Sequence, residues 1–364
     1  MNVLKTASSA TIGEVAKIRR NFRWRKQLKE IQQKTKSTIR PLSYEQLQEI
    51  KEYYARFGFR SVKTDWHEYI YSVTGDYSPK MIPEDFFHSI LERIYNLRGF
   101  TAWEDKAFMP FILDQVKFPE TICCCINGYF YDDKRNMITK REACALIQNN
   151  HQRAIAKPTL ASGGGKGIML VDCTNPEKVM SEYKGCSFIV QRMITQSIET
   201  AALNPSSVNT EKVLSFMFKG QVYILSAHMR VGAPDSFTDN AGGGKGWILG
   251  INDDGTTADY GLDIYGNIRE KDYYGNPIKG KVLPQHKLIC EIIKKSHKFF
   301  PYFGFMSWDF CVNDKNEPVL IEYNTGQPMA LAYQLTTGTL FGELTDAVLS
   351  DASKKLDRLR FNLW

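Results

Sequence analysis

Apolar residues follow a helical interval through residues 42–100, strand-like runs dominate after residue 187, and the stretch between mixes the two. In SYEQLQEIKEYYARFG, Leu47, Ile50 and Tyr54 recur at helical spacing, Ser43 stands as an N-cap and Gly58 as a stop. IPEDFFHSILERIYNL repeats the pattern, opening with Pro83 and acidic residues in its first turn. From about residue 101, DKAFMPFILDQV reads as a helix, TICCCI as a strand, REACALIQNN as a helix and AIAKPTL as a strand running into a Gly-rich turn. SFIVQRMI is a further strand, and KVLSFMF, Lys219-Gly220 and QVYILSAHMRVG form a hairpin. The helix QHKLICEIIKKSHKFF leads into MSWDFCVNDKNEPVLIEYN, two strands around a turn at Asn313 to Glu317. A last helix carries Leu344, Val348, Leu356 and Leu359 as a stripe, and no solenoid repeat is present.

At 364 residues, 43% hydrophobic and 24% charged, the chain has ordinary globular composition and room for two or three domains. No window approaches the roughly 18 apolar residues of a membrane span, and the N-terminal stretch lacks the apolar core of a secretory signal, so the expected location is cytoplasmic. Eight cysteines without a C-x-x-C pair agree with that location and read as small buried apolar residues. The net charge of +7 is uneven: residues 1–40 hold eleven Lys/Arg against Glu14 and Glu30, a net +9, which leaves about −2 for the rest. With Phe22 and Trp24 among its arginines, this arm is a candidate for peripheral contact with an acidic membrane face, the alternative being a helix docked on its own protein. No nucleic-acid partner is expected, since no RRM, zinc-finger or helix-turn-helix signature follows.

The word GGGKG occurs twice, in ASGGGKG at 161–167 and NAGGGKG at 240–246. Neither is a Walker A loop, which needs Ser or Thr after the lysine, where Lys166 is followed by Gly167. The first loop follows a strand carrying Lys157, and Ser162, Gly163, Gly164 and Gly165 can bring backbone N–H groups close to an anion. A flexible lid over phosphates and a plain hairpin turn both fit it.

The hairpin centred near residue 315 sets Asp309 opposite Glu322, with Asn324 on the same side of its strand. Two carboxylates inside apolar strands need a cation or hydrogen bonds, and Mg²⁺ bound together with nucleotide phosphates fits that need. A chance acidic pair at a sheet edge is the competing reading. No Ser/His/Asp or Cys/His constellation can be argued from spacing. His228, two residues from Arg230, is the histidine that strand alternation places with the charged residues.

Lys157, the Gly-rich loop and Asp309/Glu322/Asn324 together resemble the ATP-grasp superfamily, as in D-alanine–D-alanine ligases. Over most of its length the chain resembles the sugar-transfer-associated ATP-grasp family, in NPSSVNTEKV, MRVG with DNAGGGKG, FMSWDFCV and VLIEYNTGQP. The resemblance implies an α+β fold, two α+β subdomains clasping ATP, beside a helical N-terminal region. The expected division is a basic arm and helical region at 1–100, an N-terminal or linker subdomain at 101–150, a Gly-rich lid at 151–192 and a catalytic subdomain at 193–364. Lys106 and Lys157 would bind phosphates under the lid, FIVQRMI with Gln191 and Met193 would meet adenine, and Glu199 would lie near the ribose. Gln191 stands where many members have Glu. Asp309, Glu322 and Asn324 would hold two Mg²⁺ ions, and Arg230 would neutralise the transferred phosphoryl group. Asn209, Lys212, Asp239, Asn240, Gly242 and Gly243 fall on the substrate side, with Lys212 where the family usually has Arg.

The implied activity is an ATP-dependent ligase that converts a carboxylate to an acyl phosphate and joins it to an amine, acting on small-molecule or sugar-linked substrates of cell-surface or capsular polysaccharide synthesis. A sugar or small-molecule kinase on the same fold is the alternative, and a nucleotide-sensing module without turnover is a third.

Overall fold

The computed structural model describes residues 23–24, 26–97, 99, 101–160, 165–239, 246–326, 328–357 and 359. Most of the basic arm, with Lys5, Lys17, Arg19, Arg20 and Arg25, lies outside them, as do Ser162, Gly163, Gly164, Asn240, Gly242, Gly243 and Lys245.

Two antiparallel sheets organise the rest. The first has six strands, β1 (Thr121–Ile126), β2 (Tyr129–Tyr131), β3 (Met137–Ile138), β4 (Ala154–Pro158), β5 (Met169–Leu170) and β6 (Phe188–Arg192), in the order β3-β2-β1-β6-β4-β5. It draws strands from both sides of residue 150. The second has seven, β7 (Thr210–Phe218), β8 (Gln221–Val231), β9 (Trp247–Ile251), β10 (Thr257–Leu262), β11 (Ile268–Arg269), β12 (Phe305–Val312) and β13 (Pro318–Asn324), in the order β11-β10-β9-β8-β7-β12-β13. Mixed helices and antiparallel sheets make the chain α+β.

Strand alternation gives each sheet two chemically different faces. In the first sheet Ala154, Ala156, Val190 and Cys123 pack with Ala143 and Ile147 of the helix Lys140–Gln148 and Val179 of the helix Pro176–Glu182. Ile155, Lys157 and Gln191 occupy the opposite positions and line a cleft. In the second, Val213, Leu249, Trp308, Phe310 and Tyr323 close on Ile289 and Ile293 of the helix His286–Ser296. The reverse face buries Leu214, Phe216 and Phe305 at one end against the N-terminal helices, and carries Lys212, Arg230, Asp309 and Glu322 at the other.

The helix Tyr44–Ala55 starts at Ser43 through a full capping box with Gln46, and Gly58 beyond its end has a left-handed φ of 87°. The segment that opens at Pro83 is helical in three pieces: Glu84–Phe86, a π-helical turn Phe87–Leu91, and Glu92–Tyr95. Its buried His88 lies between Glu84 (Nε2 to Oε1, 3.0 Å) and Glu92 (Nδ1 to Oε2, 2.7 Å), with Trp24 stacked on the ring at 4.3 Å. Burial pushes His88 down, but the two carboxylates outweigh it and raise its pKa to about 9.

Two expectations need correction. DKAFMPFILDQV is helical only at Met109–Ile112, because Lys106 N–H is tied to Thr159 O at 3.0 Å and the preceding residues form a separate 3₁₀ turn, Thr101–Glu104. In the C-terminal stripe Val348 is buried, but Leu356 is exposed because the helix Thr345–Lys354 has ended. Among the described residues no helix is long and apolar enough to cross a membrane.

Candidate active site

The turn at Asn313–Glu317 starts the acidic hairpin with Val312 opposite Pro318, and a bulge between Asp309 and Phe310 then shifts the register by one residue. Asn313 Oδ1 accepts the N–H groups of Lys315 (3.0 Å) and Glu317 (2.9 Å), an Asx-type turn. Asp309 then pairs with Glu322 and Ser307 with Asn324, so both carboxylates and the amide stand on one side of β12 and β13. β7 on the other side of β12 places Lys212 opposite Asp309, and β8 places Arg230 opposite Thr210.

The carboxylates are wrapped in cations. Lys212 Nζ lies 2.6 Å from Asp309 Oδ1, Arg230 Nη1 lies 3.4 Å from Asp309 Oδ2, and Lys106 Nζ lies 3.0 Å from Glu322 Oε2. Arg230 also forks onto Asp239 through Nε at 3.0 Å and Nη2 at 2.9 Å, and the Thr210 hydroxyl donates to the same carboxylate. Burial alone would push Asp309 up, yet Lys212 and Arg230 hold it below the usual carboxylate range. Burial would likewise lower Arg230, and Asp239 with Asp309 raise it. Burial beside Lys212 and Arg230 holds His228 well below its ordinary value, leaving a neutral imidazole.

Lys157 is different. Only 3% exposed, it makes no ion pair among the described residues, and burial together with the neighbouring Lys106 lowers its pKa to about 8. A buried, unpaired ammonium at a cleft wall is a site for an anion.

Lys106 belongs to the first sheet by its backbone. Beside its bond to Thr159 O, Asp105 accepts from Ala107 N–H at 2.9 Å and from the Thr159 hydroxyl at 3.2 Å. Its ammonium nevertheless reaches β13 of the second sheet. Between the sheets, apolar walls from Ile155, Ile168, Val208 and Ile321 meet Gln191 and Met193. Gln191 Nε2 donates to Pro119 O at 3.4 Å, while its buried Oε1 has no partner among the described residues. Met193 N–H is taken by Arg153 O at 2.8 Å and is therefore not open to a ligand. Gly165, with a left-handed φ of 71°, lies against Thr238, so the end of the first Gly-rich loop meets the approach to the second.

The structure thus brings Lys106, Lys157, Gly165, Gln191, Met193, Arg230, Asp239, Asp309 and Glu322 to one cleft. Lys212 joins them through Asp309, and Asn324 by register. Two expected residues stand elsewhere. Glu199 is exposed on the short helix Ile198–Ala201, which Ser197 caps, and does not line the cleft. Asn209 is fully buried, its amide spent on Thr200 O (2.8 Å) and Asn204 O (2.9 Å) in a loop-holding knot. Sequence reasoning missed Asp105, Thr159 and Thr210, which position Lys106 and Asp239. It also missed the wall residue Ile155, although its place two residues before Lys157 on a strand gives it the same face.

Mg²⁺ fits the donor set. Among the described residues Asp309 Oδ2 is buried without a hydrogen-bond partner, and Glu322 is met by the Lys106 ammonium. Among the described residues no three His, Cys, Asp or Glu side chains cluster as a metal site.

Two α+β layers facing across a cleft, lysines from one over carboxylates from the other, define an ATP-grasp fold. The chain matches the model of the sugar-transfer associated ATP-grasp proteins over residues 86–347 and belongs to that family. Enzymes with this fold generally use ATP and Mg²⁺. Among solved structures the chain is similar to a Campylobacter jejuni biotin carboxylase (13% identity, TM-score 0.43, 69% of this chain and 46% of that one). It is also similar to a Bacillus licheniformis L-amino acid ligase (13%, 0.40, 69% and 48%) and to the Enterococcus faecalis VanG D-Ala:D-Ser ligase (13%, 0.39, 71% and 61%). The chain thus spans between 46% and 61% of the length of these structures. Among curated proteins none matches it.

Proposed function

We propose that the protein is an ATP-dependent ligase that activates a carboxylate as an acyl phosphate and joins it to an amine, in the synthesis of a cell-surface or capsular polysaccharide. The observation that carries this reading is Lys157, buried and without an ion pair among the described residues, beside Lys106 and over the Asp309–Glu322 pair. Phosphoryl transfer asks for positioning and charge neutralisation more than for a protein nucleophile, and the cleft is built from such groups. Lys106 and Lys157 would hold the phosphates, with the first Gly-rich loop closing over them. The Ile155, Ile321, Gln191 and Met193 walls would take the adenine ring. Arg230 would release Asp239 to meet the transferred phosphoryl group and the tetrahedral intermediate, while Lys212, Asp239 and the second Gly-rich loop border the substrate side. Asp309, Glu322 and Asn324 would hold Mg²⁺, two ions in our reading, which supplies charge neutralisation on the phosphates when bound. The family's description supports the link to sugar transfer.

Calorimetry of ATP binding with and without Mg²⁺, on the wild type and on Asp309→Asn/Glu322→Gln, tests the nucleotide site. Magnesium-dependent binding weakened in the double variant supports it, and absence of binding to the wild type overturns it. Screening sugar acids with amino acids then separates a ligase from a kinase: ligation liberates inorganic phosphate, whereas a kinase leaves a phosphoester. The basic arm would hold the enzyme at an anionic membrane surface. Substituting Arg19, Arg20, Arg23 and Arg25 with alanine should abolish sedimentation with phosphatidylserine vesicles, and unchanged sedimentation removes that idea.

A further inference from the structure

On the reverse of β7 from the cleft, a second constellation of reactive groups stands apart from the nucleotide site. Glu211 lies between Thr210 and Lys212, so alternation turns its side chain to the other face, where it is only 2% exposed. There its Oε1 lies 2.6 Å from Nδ1 of the buried His286, the first residue of the helix His286–Ser296. One turn further along that helix, Cys290 presents its sulfur 3.7 Å from Nε2 of the same ring. Carboxylate, imidazole and thiol are thus in series, the buried acid fixing the ring and the ring facing a half-buried sulfur. Burial would lower His286, but its contacts with Cys290 and Glu211 raise its pKa to about 10, so the ring carries a positive charge at neutral pH. Lys287, Asp254 and Glu291 line a recess beside His286.

Cys144 supplies the internal contrast. It is also half-buried, yet its sulfur faces the Glu177 carboxylate at 3.8 Å, and burial with that negative charge raises its pKa. A thiol beside a cation is activated toward electrophiles, and a thiol beside an anion is not.

We propose that Cys290, with His286 and Glu211, is a site of thiol oxidation by hydroperoxides. The Cys290 sulfur attacks the near oxygen of the peroxide, the S–O bond forms as the O–O bond breaks, the protonated His286 gives its Nε2 proton to the leaving oxygen, and the thiol proton then replaces it on Nε2. Cysteine is oxidised to sulfenic acid and the hydroperoxide is reduced to water or an alcohol.

The test is exposure of the full-length protein to hydrogen peroxide at pH 7, trapping with dimedone, and quantification of each cysteine peptide by mass spectrometry. Cys290 should trap about tenfold faster than Cys144, the contrast expected of cation-paired and anion-paired thiols. His286→Gln should bring the two rates together, and Glu211→Gln should lower the Cys290 rate part of the way. Equal trapping at Cys290 and Cys144 in the wild type overturns the proposal without any variant, and so does a Cys290 rate unchanged in a folded His286→Gln protein.

Discussion

On β12, Trp308 and Phe310 face one way and Asp309, between them, faces the other. All eight residues of the strand are buried, so burial does not distinguish the two sides; chemistry does. Behind, Trp308 and Phe310 join Tyr323 and the helix His286–Ser296 in an apolar layer. In front, Asp309 is held by Lys212 and Arg230 beside Glu322. The contrast teaches that a strand period of two lets one segment carry both the core and the site, without a loop to present the charges.

The two sides should therefore fail differently. Asp309→Asn with Glu322→Gln should reduce ATP-dependent phosphate release about a thousandfold, the scale of lost electrostatic stabilisation in a buried site. Near-UV circular dichroism should stay native, and a variant that loses its tertiary signal instead would break the division of labour. Trp308→Ala, one residue away, should lower the unfolding free energy by about 3–5 kcal/mol in urea titrations while the folded fraction binds nucleotide normally.

A buried charge outside the cleft sharpens the comparison. The pKa of His88 is raised from 6.5 to about 9, so its stabilisation is fully present below pH 6.5 and is lost as pH rises through about 9. The loss is on the order of 3 kcal/mol, and should appear as a lower urea midpoint at pH 10 than at pH 6. His88→Gln should flatten part of that slope, leaving the part due to His286, whose pKa is raised in the same direction. The smallest effect belongs to Arg230→Lys. It keeps a charge near Asp309 but loses the fork onto Asp239, and phosphate release should fall about ten- to a hundredfold with little change in stability.

The acidic hairpin was legible because its turn chemistry is local, Asn313 fixing the loop, but the pairing of Asp309 with Glu322 also needs the bulge between Asp309 and Phe310, without which the turn would set Asp309 opposite Ile321. The Ser43 cap and Gly58 were legible for the same reason. Less could be read where long-range partners decide. β9 and β10 are short and interrupted by Gly250 and Gly261, and they gain their place by pairing with β8, with each other and with β11. Asn209 reads as a polar residue in a motif, but its partners Thr200 and Asn204 lie in a loop whose path the sequence leaves open. Glu84, His88 and Glu92 are four apart, a spacing visible in the sequence, although the π-helical turn between them is not.

Lys106 has its backbone bound to Thr159, just past β4 of the first sheet, and its ammonium to a carboxylate of the second, and Lys212 and Arg230 likewise reach Asp309 across strands. Each of these cations has lost much of its hydration before any ligand arrives. Any oxyanion that reaches Lys106 then exchanges with the Glu322 carboxylate, and no bare ammonium has to be dried. The desolvation is met during folding, and the cleft is preorganised for binding.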